Sequence, residues 1–154
     1  GPMVGLVWAG NPRFSDDARR SPGLAALRPL LAAHRSARFF ILQMGEGRRE
    51  LADADPPDNV IDLGGEIADL DDTLAIMAQL DLMISSCTLP AHVAAAAGTP
   101  LWLLLSYAPD WRWLLGREDT PWHPQARLFR QTQPGDWTTP VRRMTQELAA
   151  FHLT

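Results

Sequence analysis

Lysine is absent from this chain: all 14 basic residues are arginines, set against 18 acidic residues for a formal net charge of -4. Non-specific nucleic-acid binding requires a dense basic surface, so nucleic acid is excluded as a partner and the arginines are expected to serve local purposes. Cysteine is nearly absent as well. Cys87 stands alone and cannot form an internal disulfide, and no secretory signal is visible, so the expected compartment is a reducing cytoplasm. No apolar run approaches the ~20 residues of a membrane-spanning helix, so no membrane span is expected. The dinucleotide fingerprint G-x-G-x-x-G does not follow the first apolar run, and the P-loop ending Gly-Lys-Ser/Thr is missing too. His34, His92, His123 and His152 are scattered, with no His or Cys pair at metal-ligand spacing; neither a metal nor a cofactor is expected. There is no internal repeat and no low-complexity segment.

What is present is an ordinary globular composition, 46% hydrophobic and 21% charged over 154 residues, enough for one domain with a real core. Gly1-Pro2 reads as the scar of a cleaved expression tag, which leaves 3–154 as a single expected domain and the chain as a candidate piece of something longer. Met3 to Ala9 is a buried-strand run that breaks at Gly10-Asn11-Pro12 into a polar loop carrying Arg13, Arg19 and Arg20. Ser21-Pro22 reads as a cap with proline at the first helical position, ahead of Leu24, Leu27, Leu30 and Leu31 at helical spacing. Pro29 predicts a kink or two short pieces there. Arg38 to Gln43 and Asn59 to Leu63 are the second and third strands, with a weak helix between Gly45 and Ala54. Leu70 to Leu80 is a helix with Asp71 and Asp72 at its N-terminal end and Leu70, Leu74, Met77 and Leu80 on its apolar face. Ala126 to Gln131 is a last strand, and Asp136 or Thr138 caps a C-terminal helix that buries Val141, Met144, Leu148 and Phe151.

The chain is organised around Leu82 to Leu105, which reads as strand, turn, helix, strand. Ser86, Cys87 and Thr88 turn the chain, Pro90 pre-sets a helical first turn and Gly98 stops it before Leu101 to Leu105. Such a crossover joins parallel neighbours in a buried sheet. Strands alternating with helices throughout predict an α/β, Rossmann-like parallel sheet of about six strands with helices on both faces. A strand that delivers hydroxyls onto a helix N-terminus presents unpaired N–H groups and a positive dipole end, which suit a phosphate.

VGLVWAGNP, Arg20-Ser21 ahead of the leucine-rich helix, DLMISSCTLPAHVAAAAGTPLWLLL and PDWRWLLGREDTPWHPQARLFRQ together resemble the C-terminal half of GT-B glycosyltransferases. More closely, the chain is similar to the heptosyltransferase-like half at the end of bacterial tetratricopeptide-repeat proteins, over Val4 to about Leu148. The resemblance implies one half of a GT-B fold that binds a nucleotide-diphosphate-sugar donor for metal-independent transfer. A separate N-terminal half would supply the acceptor site and usually the base, and that half or a tetratricopeptide-repeat region of the same protein would be its partner, so the isolated domain is expected to bind and not turn over. The family's Asp-Thr-Gly-Pro-x-His pattern falls on Cys87 to His92: Thr88, Pro90 and His92 match, whereas Cys87 replaces the Asp and Leu89 the Gly. The family's basic residue falls near Arg20, whose fork suits a diphosphate.

The donor- and phosphate-binding candidates are therefore Gly10, Asn11, Arg20, Ser86, Cys87, Thr88 and His92. Asp110, Trp111 and Arg112 are candidates for base or sugar contacts, although the neighbouring tryptophans also suit a hydrophobic plug over the sheet end. Structural roles stand beside these: Thr88 as an ordinary N-cap, His92 as a core histidine, Cys87 as a small buried residue, and Arg13, Arg19 and Arg20 as counter-charges to Asp16 and Asp17. A degenerate relative retained as a protein-interaction module is the alternative function.

Overall fold

The computed structural model describes residues 1–13, 17–107 and 125–151. Six strands form one parallel sheet: β1 (Met3–Val7), β2 (Arg38–Ile41), β3 (Val60–Asp62), β4 (Leu82–Ser86), β5 (Leu101–Leu105) and β6 (Ala126–Arg130). Their order is β3-β2-β1-β4-β5-β6, so the chain starts in the middle, builds outward to one side, then returns to build the other. This is the doubly wound Rossmann-like arrangement that the alternation of elements predicts.

Two apolar layers sandwich the sheet. Val4, Leu6 and Trp8 of the first run point to one face, where α2 (Leu24–Ala33) and α5 (Thr138–Phe151) cover Ile41, Ile84, Leu104 and Phe129. Val7, Met83, Leu103 and Leu128 point to the other, under Met77 of α3 (Leu70–Met77) and Ala91 and Ala94 of α4 (Leu89–Ala96). Gly5 lies on this second face of β1, where an added Cβ would stand 2.5 Å from the Leu80 side chain and 2.6 Å from Met83 Sδ. A bare glycine lets those two side chains close over the central strand.

Several local expectations are corrected. The leucine-rich helix α2 opens at Leu24, with Gly23 as N-cap at φ 78, and not at Pro22. Its first N–H is capped from outside, by Glu50 Oε2 at 2.8 Å. It also runs as one helix through Pro29 and not as two pieces. Proline inside a helix costs ~3 kcal/mol, whereas Leu24, Leu27, Leu30 and Leu31 are all buried, each contributing about 1.5–3 kcal/mol; burial wins. The weak helix after β2 is a 3-10 helix over Glu46–Leu51. On α3 the predicted apolar face is only partly covered: Met77 is buried, but Leu70 is 55% and Leu74 36% exposed. Asp69 caps that helix by accepting from Asp72 N at 2.9 Å, while Asp72 reaches back to Ala68 N at 2.8 Å, a reciprocal cap.

At α5 the capping residue is Asp136, which accepts from Thr138 N at 3.0 Å and from Thr139 Oγ1 at 2.8 Å. The Thr139 hydroxyl, followed by backbone N–H groups and Arg142, holds this carboxyl below the usual aspartate range. A depressed folded-state pKa stabilises the protein above the unfolded value and loses that contribution as pH falls through the folded one. Asp136→Ala should therefore lower the thermal midpoint at pH 7 and leave it nearly unchanged in acid below the aspartate range. An equal loss at both pH values would contradict an electrostatic cap.

Candidate functional site

The site begins where β1 runs out of neighbours. β2 flanks it as far as Leu6 and β4 as far as Val7, and the chains leaving β1 and β4 then turn to opposite faces, opening the crevice where doubly wound sheets bind ligands. Trp8, Ala9 and Gly10 therefore carry backbone groups that need partners. Gln43, 3% exposed and just beyond β2, supplies most of them. Its Oε1 accepts from Trp8 N and Ala9 N, both at 2.9 Å, and its Nε2 donates to Ala9 O at 2.9 Å and Met44 O at 3.0 Å. The expected strand Arg38 to Gln43 thus shortens to Ile41, with the glutamine side chain continuing the pairing in place of backbone. Gln131, just beyond β6, makes only the accepting half of such a bridge, from Tyr107 N at 3.0 Å.

Asp17, in the four-residue α1 (Asp17–Arg20), is the second organiser. Its Oδ1 accepts from Gly10 N at 3.1 Å, Arg20 Nε at 3.2 Å and Ser21 Oγ at 3.0 Å, and the serine oxygen also accepts from Gly10 N at 3.2 Å. An added Cβ on Gly10 would collide with Arg20 Nη2 and stand 2.7 Å from Asp17 Oδ1. A side chain there would push the ends of the Arg20 and Asp17 side chains outward, so the bare glycine lets both lie close over the loop. The Arg20–Asp17 ion pair agrees with the counter-charge reading of this loop, and the same Arg20 also lines the cleft.

That cleft has a volume of about 540 Å³. Its walls come from the loop after β1 (Gly10, Asn11, Arg13, Arg20), the segment after β2 (Gln43, Met44, Glu46), Thr73 of α3 and the start of α4 (Thr88, Leu89, Pro90). Of the sequence candidates, Gly10, Asn11, Arg20 and Thr88 meet here. Ser86, Cys87 and His92 do not line it: Ser86 is buried in β4, Cys87 is half-buried in the turn and His92 lies one turn into α4, its backbone N–H bonded to Thr88 O at 3.4 Å. Asp110, Trp111 and Arg112 lie outside the described residues. Arg13, Gln43, Met44, Glu46 and Leu89 are cleft residues absent from the sequence candidates; the polar residue closing the apolar run RFFILQ was the available signal for Gln43.

Thr88 is the N-cap of α4, in extended backbone geometry, yet its side chain makes no capping bond. It is 5% exposed and, like that of Ser86, its hydroxyl has no hydrogen-bond partner among the described residues. Leaving a buried hydroxyl unpaired costs roughly 1–3 kcal/mol, and the cleft it lines is where a partner would enter. The helix end itself offers few donors: Pro90 has no N–H, and Ala91 N is bonded to Thr88 O at 3.1 Å. Among the described residues there is no group of three or more His, Cys, Asp or Glu able to hold a metal ion, and no helix long and apolar enough to cross a membrane.

Sheet order, layering and the crevice at the strand reversal are those of one Rossmann-like half of the GT-B glycosyltransferase fold, in the heptosyltransferase form. The fold matches E. coli ADP-heptose LPS heptosyltransferase II with a TM-score of 0.66 and 20% identity, over 99% of this chain and 46% of that one. It matches E. coli heptosyltransferase WaaC with ADP at 0.66 and 15% identity, over 98% of this chain and 44% of that one. The likeness to TarM is lower, with a TM-score of 0.56 and 12% identity over 97% and 29% of the two chains. In sequence the chain is 34% identical over 161 aligned positions to protein FlbA of Caulobacter vibrioides, covering 98% of this chain. It spans 26% of the length of FlbA and less than half of each heptosyltransferase. No protein-family model matches.

Replacing Gln43 by leucine keeps the apolar volume but strands three groups of Trp8 and Ala9. Trp8 N is buried and the two Ala9 groups are part-buried beside the cleft, so at roughly 1–3 kcal/mol for a buried group left unpaired, Gln43→Leu should lower unfolding stability by about 1–3 kcal/mol in urea titrations. A loss under about 1 kcal/mol would show that water replaces the amide without penalty.

Proposed function

We propose that the cleft binds the diphosphate of a nucleotide-sugar donor, and that the chain is the donor half of a metal-independent bacterial glycosyltransferase. The observation carrying this reading is the buried, unpartnered Thr88 hydroxyl at the start of α4, in one cleft with Arg20 at the strand reversal. Thr88 would donate to a phosphate oxygen and Arg20 would meet the charge that grows on the diphosphate as the glycosidic bond breaks. Glu46, a carboxylate in the same cleft, is suited to accept from sugar or ribose hydroxyls. The structural relative WaaC was captured with ADP, which supports a nucleoside diphosphate as the ligand class. The base and the acceptor site are assigned to a further part of the native protein, such as an N-terminal acceptor half or a tetratricopeptide-repeat region, so this chain alone binds without turnover. The soluble cytoplasm remains the proposed compartment.

A second reading rests on the cleft rim. Leu89, where the family pattern has glycine, is 71% exposed, and Met44 beside the same cleft is 47% exposed. Exposed apolar side chains at a ligand mouth suit a protein partner, as in a degenerate domain kept for interaction.

Thermal-shift measurements with ADP, UDP, GDP and CMP separate the two. Ligand at about 100 times its dissociation constant adds ~2.7 kcal/mol, which for a chain of this size raises the midpoint by roughly 5–10 °C. At least one nucleoside diphosphate should do so; no shift with any of them would leave the interaction module as the standing account. Thr88→Val removes the unpaired hydroxyl at constant shape, so it should leave the ligand-free midpoint unchanged or raise it while weakening nucleotide binding about tenfold, ~1.4 kcal/mol. A variant that binds as tightly as the parent would remove Thr88 from the site.

A further inference from the structure

The charges around the cleft do not suffice for a diphosphate unless Arg13 takes part. Arg20 donates to Asp17 at 3.2 Å, so its charge is offset by a carboxylate before any ligand arrives. Glu46 adds a second negative group on the cleft wall. The N-terminus of α4 contributes little further, because Pro90 lacks an N–H and Ala91 N is engaged with Thr88 O. A phosphate monoester alone carries about -1.5 to -2 charges at pH 7, so binding a diphosphate against a net negative surround would be unfavourable. Arg13 cancels that excess. It lines the same cleft from the loop after β1, its side chain is exposed, and it makes no ion pair among the described residues. Its position on the loop is fixed at the backbone, where Arg13 N donates to Asn11 Oδ1 at 3.0 Å.

We infer that Arg13 is the second arginine of the phosphate site and sets its preference for nucleoside diphosphates over monophosphates. This rests on the reading of the cleft as a nucleotide site and adds to it a residue and a selectivity. Arg20, held by Asp17, gives a pre-positioned fork. Arg13, on the more exposed part of the loop, supplies the charge that is not already offset. Coulomb attraction scales with ligand charge, so losing Arg13 must cost a diphosphate more than a monophosphate. Lysine would preserve the charge but not the planar two-donor fork.

The test is isothermal titration of the whole chain with ADP and AMP, or with UDP and UMP if the uridine nucleotides bind better, for the parent, Arg13→Ala and Arg13→Lys. Arg13→Ala should weaken the diphosphate tenfold or more and the monophosphate no more than about threefold. Arg13→Lys should recover part of the loss, and the gap between parent and alanine variant should narrow as salt screens the charge. The ligand-free thermal midpoints of all three should coincide, which excludes a folding effect. If the parent binds the diphosphate but Arg13→Ala binds both nucleotides as tightly, Arg13 is not part of the site while the nucleotide reading stands. Equal losses for the two ligands would overturn the selectivity. A parent that binds neither removes the nucleotide reading, and the role of Arg13 with it.

Discussion

The arrangement of this protein depends on how the central strand ends. β1 is hydrogen-bonded to β2 on one side and β4 on the other, and beyond Val7 its backbone must be satisfied by something other than strands. Gln43 takes Trp8 and Ala9, Asp17 and Ser21 take Gly10, and Gly23 N donates to Trp8 O at 3.3 Å. Each of these contacts also fixes a cleft wall. The glutamine holds the segment after β2 against β1, and the aspartate draws Arg20 over Gly10. Core packing, backbone satisfaction and ligand geometry are thus coupled within a few residues. The indole of Trp8 extends this coupling: the side chain is fully buried on the α2 and α5 face, while its Nε1 donates to Gly47 O at 3.1 Å in the 3-10 helix.

The cleft that results is mixed in character. Its polar groups come from the β1 loop, from Gln43 and Glu46 after β2 and from Thr73 and Thr88, and its apolar rim from Met44 and Leu89. A helix N-terminus in such a place normally contributes several donors to an anion, but here a proline at the second helical position and a tight first turn remove most of them. The proposed binding therefore shifts its weight from helix dipole to guanidinium groups. This is consistent with a chain whose cations are all arginine, the residue whose fork matches phosphate geometry.

Much of the fold was legible in the sequence because burial on both sides of a parallel strand writes near-continuous apolar runs such as MVGLV and LWLLL. The βαβ unit from Leu82 to Leu105 was equally readable, since Thr88, Pro90 and Gly98 are local signals for the two ends of one helix. What failed was non-local. Ser21 is drawn away from helix capping by Asp17, and a carboxylate 26 residues distant caps Leu24 in its place. Leu70 and Leu74 have helical spacing, but α3 is short and lies with only part of its stripe against the sheet. At the site, the resemblance to heptosyltransferases singled out Arg20 and Thr88, whereas Gln43 and Glu46 reach the cleft through the register of β2 beside β1, which no local pattern encodes.

The proposed site seats a nucleoside diphosphate between the β1 loop and the start of α4. Backbone amide chemical shifts followed by NMR during titration with ADP and UDP test it most directly. For the nucleotide that binds, saturable changes are predicted at Gly10, Arg13, Thr88 and Leu89, with the α2 surface at Arg28 unaffected. Saturable shifts confined to other surfaces, or none at all at millimolar nucleotide, would contradict it.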